Sequence, residues 1–395
     1  MIPAAVILFL LSILCFAGAL WQGRRLRILH AKRSRTQAFR RAIWDATRFR
    51  TLFCLAGIFC ILPAIILLAL GLPRSGGGIS ASTPSSSITG STGTDPSATV
   101  TEPIPTTVPT EPIFITPSYI PEITWMTFPD GRDIESDIYF VYSCDNDTFT
   151  TNSGNPDERV YPASVTKLFT AYVALQILPE DKVIRIGNAV SLVNKGSSVA
   201  ELYEGHRLTP ENLVAAMLLP SGNDAAYAIA QAAGTILAGT DDISARDAVD
   251  IFVAEMNNKA QALGLSGTHF ANPDGWHDEN HYTCVADLAQ IGKLVLSDPI
   301  ISRCAQKADA TVPVSSSKTR TWSNTNYLIQ QESDYYCPYA IGLKTGYTKA
   351  AQNCLLSAFS FGDSTWIIGT FHCESRSGRF KDTLYLLNST LESLQ

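Results

Sequence analysis

The stretch "PASVTKLFT", residues 162–170, sets a hydroxyl and an amine three residues apart, at Ser164 and Lys167. On a helix that spacing places both on one face, within reach of each other. A serine hydroxyl attacks acyl groups only when a neighbour accepts its proton. An exposed lysine, with a pKa of about 10.4, stays protonated and cannot serve. Removal from water lowers that pKa, and the surrounding residues Val165, Leu168, Phe169 and Tyr172 are apolar. The pair therefore reads as a nucleophile and its base. The serine also falls in a first helical turn, where the positive end of the helix dipole favours developing negative charge.

Two further polar clusters follow. "LLPSGNDAA" presents Ser221 and Asn223 in a tight turn, and "IGLKTGYT" sets Lys344, Thr345 and Gly346 just after an apolar pair. Small polar side chains on a loop held by a rigid scaffold suit substrate contacts. A cation and a hydroxyl beside a glycine suit an anionic group docking against a strand. Each cluster alone is ordinary turn chemistry. Their order, S-x-x-K then S-x-N then K-T-G, is the signature of penicillin-binding proteins and serine β-lactamases.

With those residues in place, the chain resembles the low-molecular-mass penicillin-binding proteins that act as serine D-alanyl-D-alanine carboxypeptidases. "MLLPSGNDAAYAIA", "GTHFANPDGWHDENHYTCVADLA" and "GLKTGYT" all read like that family, over about residues 135–390. The resemblance implies a penicillin-binding-protein/β-lactamase-like transpeptidase fold: mixed α/β, mainly an antiparallel sheet with helices on both faces, plus a helical subdomain. It implies that Ser164 attacks the carbonyl between two D-alanines, that Lys167 takes its proton, and that Ser221 and Asn223 relay the proton and hold the substrate amide. It assigns Lys344 the electropositive field, Thr345 and Arg379 the terminal carboxylate, and the backbone N–H groups of Ser164 and Tyr347 the oxyanion. Neither metal nor cofactor is needed. The implied partners are peptidoglycan stem peptides ending in D-Ala-D-Ala and β-lactam antibiotics.

Two departures from the family stand out. Gln352, in "TKAAQN", occupies a position where the family usually has glycine, which questions the local strand geometry. The family's C-terminal β-rich domain and amphipathic anchor find no room before Gln395, so anchoring falls to the N-terminal segment. A β-lactamase with a glutamate-activated water needs an E-x-x-L-N segment, and "EMNNK" does not match it. A non-catalytic receptor for muropeptides or β-lactams is the other alternative, though no catalytic group is missing. His277 and His281 have the spacing of a zinc-protease motif, but Asp278 stands where glutamate is required and Pro273 and Gly275 indicate a loop.

Several elements must position these residues. "DIYFVYS" (137–143) has strand character. Ser164 to Leu178 is apolar on most faces, the mark of a helix buried inside a domain. Thr209-Pro210 starts a helix and Pro220 stops it, another begins near Asp224, and Ser244 caps a third. "CLLSAFS" and "TWIIGTFHC" flank a hairpin turn at Phe361-Gly362-Asp363-Ser364, and a last helix runs from about Arg379. Strands at both ends with helices between predict a sheet covered on both faces, with a helical insertion.

The first 120 residues are of another kind. Ile2–Leu20 and Thr51–Leu72 are uncharged apolar runs of 19 and 22 residues, long enough to cross a ~30 Å hydrocarbon layer. Residues 1–50 carry about +9 and residues 51–395 about −15. The basic block 21–50 reads as a cytoplasmic loop between two spans, not as a nucleic-acid site. A cleaved signal over residues 1–20 is disfavoured by the absence of a basic start. Residues 74–120 form a Ser/Thr/Pro/Gly-rich linker, on the order of 40 Å long as a coil, and 121–395 form the enzyme domain, outside a bacterial cell membrane. There Cys144, Cys284, Cys304, Cys337, Cys354 and Cys373 are expected to be structural, some of them paired.

Overall fold

The computed structural model describes residue 120 and residues 133–395, all within one compact unit, Thr107–Gln395. The expected membrane spans, the basic loop and nearly all of the linker lie outside the described residues. Among those described, no helix is long and apolar enough to cross a membrane.

In chain order the strands are β1 (Ser136–Ser143), β2 (Thr148–Asn152), β3 (Arg159–Val160), β4 (Ile184–Arg185), β5 (Arg207–Leu208), β6 (Thr283–Cys284), β7 (Asp309–Pro313), β8 (Thr319–Ser323), β9 (Ala340–Thr348), β10 (Gln352–Phe361) and β11 (Ser364–Cys373). The helices are α1 (Thr166–Leu175), α2 (Pro210–Leu218), α3 (Asn223–Ala238), α4 (Ala245–Ala262), α5 (Val285–Ser297), α6 (Pro299–Ala305) and α7 (Gly378–Ser393). A 3₁₀ turn, Ala163–Val165, leads into α1.

Five strands make one antiparallel sheet, ordered β2-β1-β11-β10-β9, so β9 is an edge. Successive side chains of a strand face opposite ways. Phe140 and Tyr142 accordingly enter the large core with the central helices, while Val141 joins Phe359, Trp366, Ile368 and the α7 residues Phe380, Leu384 and Leu387 on the other face. Both faces are therefore covered, as the strand–helix–strand order predicts. The β10–β11 hairpin closes with Phe361 opposite Ser364. Thr209 caps α2 by accepting from the Asn212 N–H, and Ser244 caps α4 through the Asp247 N–H, each satisfying an N–H that the first turn leaves unpaired.

One expectation is corrected. All six described cysteines are free thiols, and five of them are buried. Burial raises the Cys354 and Cys373 thiols to about 12. These residues fill the core as small apolar side chains.

Candidate active site

Ser164 stands in the 3₁₀ turn just ahead of α1, slightly earlier than the first α-helical turn that the spacing predicts. The preceding residue, Ala163, has φ +49°, a left-handed conformation that costs roughly 1–2 kcal/mol outside glycine. The turn persists because its neighbours close on it. Gly275, itself at φ +82°, passes so near that an added Cβ would overlap the Ala163 carbonyl and lie 3.0 Å from the Ser164 nitrogen. From the other side comes Gly346 of β9, whose added Cβ would fall 2.9 Å from the Pro162 oxygen and 3.2 Å from the Ser164 nitrogen. Two glycines thus let two backbone segments meet at the nucleophile.

Lys167, one helical turn on, is 0 % exposed. Its Nζ lies 2.8 Å from Ser164 Oγ and donates to the Asp274 carbonyl at 2.6 Å. Burial draws its pKa down from 10.5 to about 8, against the opposing pull of Asp274 and then Asp224. An amine at that value is partly neutral near physiological pH, as a general base requires. The loop carrying Asp274 is tied to α1 at three more points. Thr170 Oγ1 donates to the Pro273 oxygen at 2.7 Å, Phe270 stacks on Phe169, and His281 Nε2 meets Thr166 Oγ1 at 2.7 Å. His281 Nδ1 accepts from the Ala271 N–H, so the proton sits on Nε2. Burial holds this imidazole neutral, with its pKa at about 3. The zinc-like pair is split: His281 is committed to these bonds, while His277 packs edge-on against Tyr161.

The second cluster links α2 to α3. Ser221 takes φ +62°, another strained non-glycine residue at the site. Its carbonyl accepts from Ser198 Oγ at 2.8 Å, and the Asn223 N–H donates to the Ser198 oxygen at 2.9 Å. Asp224 fastens the same loop by accepting from the Ala200, Leu202 and Ala225 N–H groups. The Asn223 side chain faces the Asp274 carboxyl, and its own Oδ1 is buried without a hydrogen-bond partner.

The third cluster runs along the edge strand β9. Lys344, 1 % exposed, donates to the Thr345 oxygen at 3.0 Å and to Thr325 Oγ1 at 3.5 Å. Burial pulls its pKa well down, and Lys167 and Arg379 add to this by repulsion. Thr325 also meets the Thr345 hydroxyl at 2.7 Å. Tyr347 follows Gly346, with the residue 65 % exposed and its backbone paired to Asn353. Arg379 is buried beneath the strand, where Nη1 donates to the Gly346 and Cys354 oxygens at 3.0 and 3.1 Å. Burial lowers its pKa to about 10. The residue thus supports the K-T-G strand from behind. Gln352 adopts φ +54° and pairs with Thr348, so the strand keeps the left-handed conformation for which glycine is the cheaper residue.

The structure therefore gathers Ser164, Lys167, Lys344, Thr345, Gly346 and the Tyr347 backbone around one turn, with Asn223 facing the same Asp274 loop. Asp274, Asp224, Thr325 and the structural role of His281 are missed by motif reading. Only the dipeptide Asp274-Gly275, within a loop already quoted for its likeness, carried any signal.

Comparison with known proteins agrees. A family model described as D-alanyl-D-alanine carboxypeptidase matches residues 129–371. D-alanyl-D-alanine carboxypeptidase DacF of Bacillus subtilis is 30% identical over 220 residues, covering 55% of this chain and 52% of its own length. A Streptomyces D-alanyl-D-alanine carboxypeptidase is 34% identical over 239 residues, covering 58% and 78%. The chain thus spans about half the length of the Bacillus relative. The crystal structure of a Streptomyces DD-transpeptidase superposes with a TM-score of 0.58 at 28% identity, over 68% of this chain and 100% of that one. The motif residues, the two-faced antiparallel sheet that brings them together and the family match point one way: the chain belongs to the D-alanyl-D-alanine carboxypeptidase family of serine peptidases.

Proposed function

We propose that this protein is a membrane-anchored serine D-alanyl-D-alanine carboxypeptidase that removes the terminal D-alanine of peptidoglycan stem peptides, and that β-lactams acylate the same serine. The observation that carries the reading is the dry Lys167 amine 2.8 Å from Ser164 Oγ. Neutral Lys167 takes the Ser164 proton as Oγ attacks the carbonyl carbon of the penultimate D-alanine. The resulting oxyanion lies between the N–H groups of Ser164 and Tyr347, each donor lowering the barrier by about 3–4 kcal/mol in comparable sites. Collapse breaks the peptide bond, and the proton passes from Lys167 through the Ser221 hydroxyl to the departing D-alanine amine, while Asn223 holds the substrate amide. Water then cleaves the Ser164 ester, restoring the hydroxyl and releasing the shortened peptide. Lys344 and Thr345 bind the terminal carboxylate, with Arg379 adding positive charge from beneath the strand. The apolar runs 2–20 and 51–72 anchor the chain, and the 74–120 linker sets the catalytic domain off the outer face of the cell membrane.

A Streptomyces neighbour described as a DD-transpeptidase supports a second outcome for the same ester, attack by an amine in place of water. Full-length protein in detergent micelles, mixed with a peptide ending Lys-D-Ala-D-Ala, should release D-alanine, and Ser164→Ala should abolish release. Equal release by that variant refutes the assignment. Fluorescent penicillin should label the parent protein stably and spare the variant, whereas rapid penicillin turnover indicates a β-lactamase. Labelling with no peptide turnover indicates a receptor. Proteolysis of intact spheroplasts should remove the catalytic domain, and complete protection contradicts its external placement.

A further inference from the structure

The three motifs assign no task to the carboxyl of Asp274, yet it is wholly buried inside the site. Its backbone is fixed by the Lys167 ammonium on its own carbonyl and by Thr170 on the carbonyl before it. Its side-chain Oδ1 accepts from the Trp276 N–H at 3.1 Å. Oδ2 is buried with no hydrogen-bond partner. A carboxylate oxygen without a donor, out of water, is costly to keep. What compensates is charge across the pocket. Around Asp274 stand Lys167 from α1 and Asn223 and Tyr227 from α3, while Asp224 of α3 and Lys344 of β9 act on Lys167. Asp224, the other acid, already serves three backbone N–H groups. The Asp274 carboxyl takes a single backbone N–H, from Trp276, and otherwise meets the Asn223 side chain.

We propose that Asp274 is a positioning residue for the base: its buried carboxyl, on the residue whose own carbonyl holds the Lys167 amine, sets the pH at which Ser164 becomes reactive. This inference rests on Lys167 being the base of the proposed reaction. An ionised Asp274 favours the ammonium form of Lys167 and so delays its loss of a proton. Burial raises the proton affinity of Asp274 and lowers that of Lys167, drawing the two titrations together. Groups so coupled titrate in two steps that belong to the pair and not to either residue alone.

The test is the rate of acylation by fluorescent penicillin between pH 5 and 10, using full-length protein in detergent. Asp274→Asn removes the charge at nearly constant shape. It should move the acid limb of the profile down by about one pH unit, roughly tenfold faster acylation at the foot of the limb. Asp274→Glu should restore the limb towards its original position, a rescue that a merely structural role does not give. An unmoved limb in a folded Asp274→Asn protein overturns the proposal. Infrared titration covers the case where that variant does not fold. In Lys167→Met, the stretch of the buried protonated carboxyl should persist to higher pH than in the parent, and identical titrations overturn the proposal. Absence of Ser164-dependent labelling in the unmutated protein refutes the functional reading instead, and the infrared arm still decides Asp274.

Discussion

Replacing Gly275 by alanine tests whether close approach of the 272–281 loop holds the nucleophile in place. Two costs follow from the geometry. At φ +82° a Cβ strains the backbone, about 1–2 kcal/mol. The same Cβ would coincide with the Ala163 carbonyl, backbone that no side-chain rotation can clear. Gly239, at φ +68° with open space around it, isolates the first cost. Gly239→Ala should lose about 1 kcal/mol, or about 2–4 °C in thermal midpoint for a domain of this size. Gly275→Ala should lose about 3 kcal/mol or more, shifting the midpoint by about 6–12 °C. The larger effect is on chemistry. Relief of the overlap displaces the Ser164 N–H or withdraws the Asp274 carbonyl from Lys167, and misplacing one oxyanion donor alone costs about 10²–10³ in rate. Melting curves and the second-order rate of penicillin labelling measure both. If Gly275→Ala labels like the parent and melts with Gly239→Ala, the loop does not brace the serine and the reasoning fails.

Three further predictions concern charge and hydrogen bonding. Acylation should rise with pH through about 8 as Lys167 loses its proton. Its folded pKa lies below the unfolded value of 10.5, so the cost of burying the ammonium is fully present below about 8 and is relieved as pH climbs to 10.5. Parent protein should therefore gain up to about 3 kcal/mol over Lys167→Met across that window in denaturant titrations, and a flat difference contradicts a buried amine. Thr325→Val removes the hydroxyl shared by Lys344 and Thr345 at nearly constant volume. It should slow labelling by about tenfold, the equivalent of one hydrogen bond of about 1.4 kcal/mol, with little change in melting; unchanged labelling shows that Thr325 does not align the strand.

Much of the architecture was written locally. The all-round apolar stretch 164–178, the Thr209-Pro210 and Ser244 starts and the 361–364 hairpin each depend on residues close in sequence; the last three stand where capping and turn residues place them, while the apolar stretch is α-helical over the narrower span Thr166–Leu175. Ser164 and Lys167 were legible for the same reason, being one turn apart. What motif reading missed is long-range. Asp274 accepts from Lys167 across 107 positions, and His281 meets Thr166 across 115.

From sequence alone came the types of the reacting groups, because a hydroxyl, an amine and a K-T-G strand declare their chemistry wherever they sit. Tertiary structure alone decided how dry the amine is, how far Ser164 and Lys167 stand apart, that Arg379 lies beneath its strand and that the six described cysteines are unpaired. The physical reason is that desolvation and backbone strain are properties of a packed environment. Ala163 and Ser221 hold left-handed conformations that their own identities disfavour, and only the segments pressed against them keep them there.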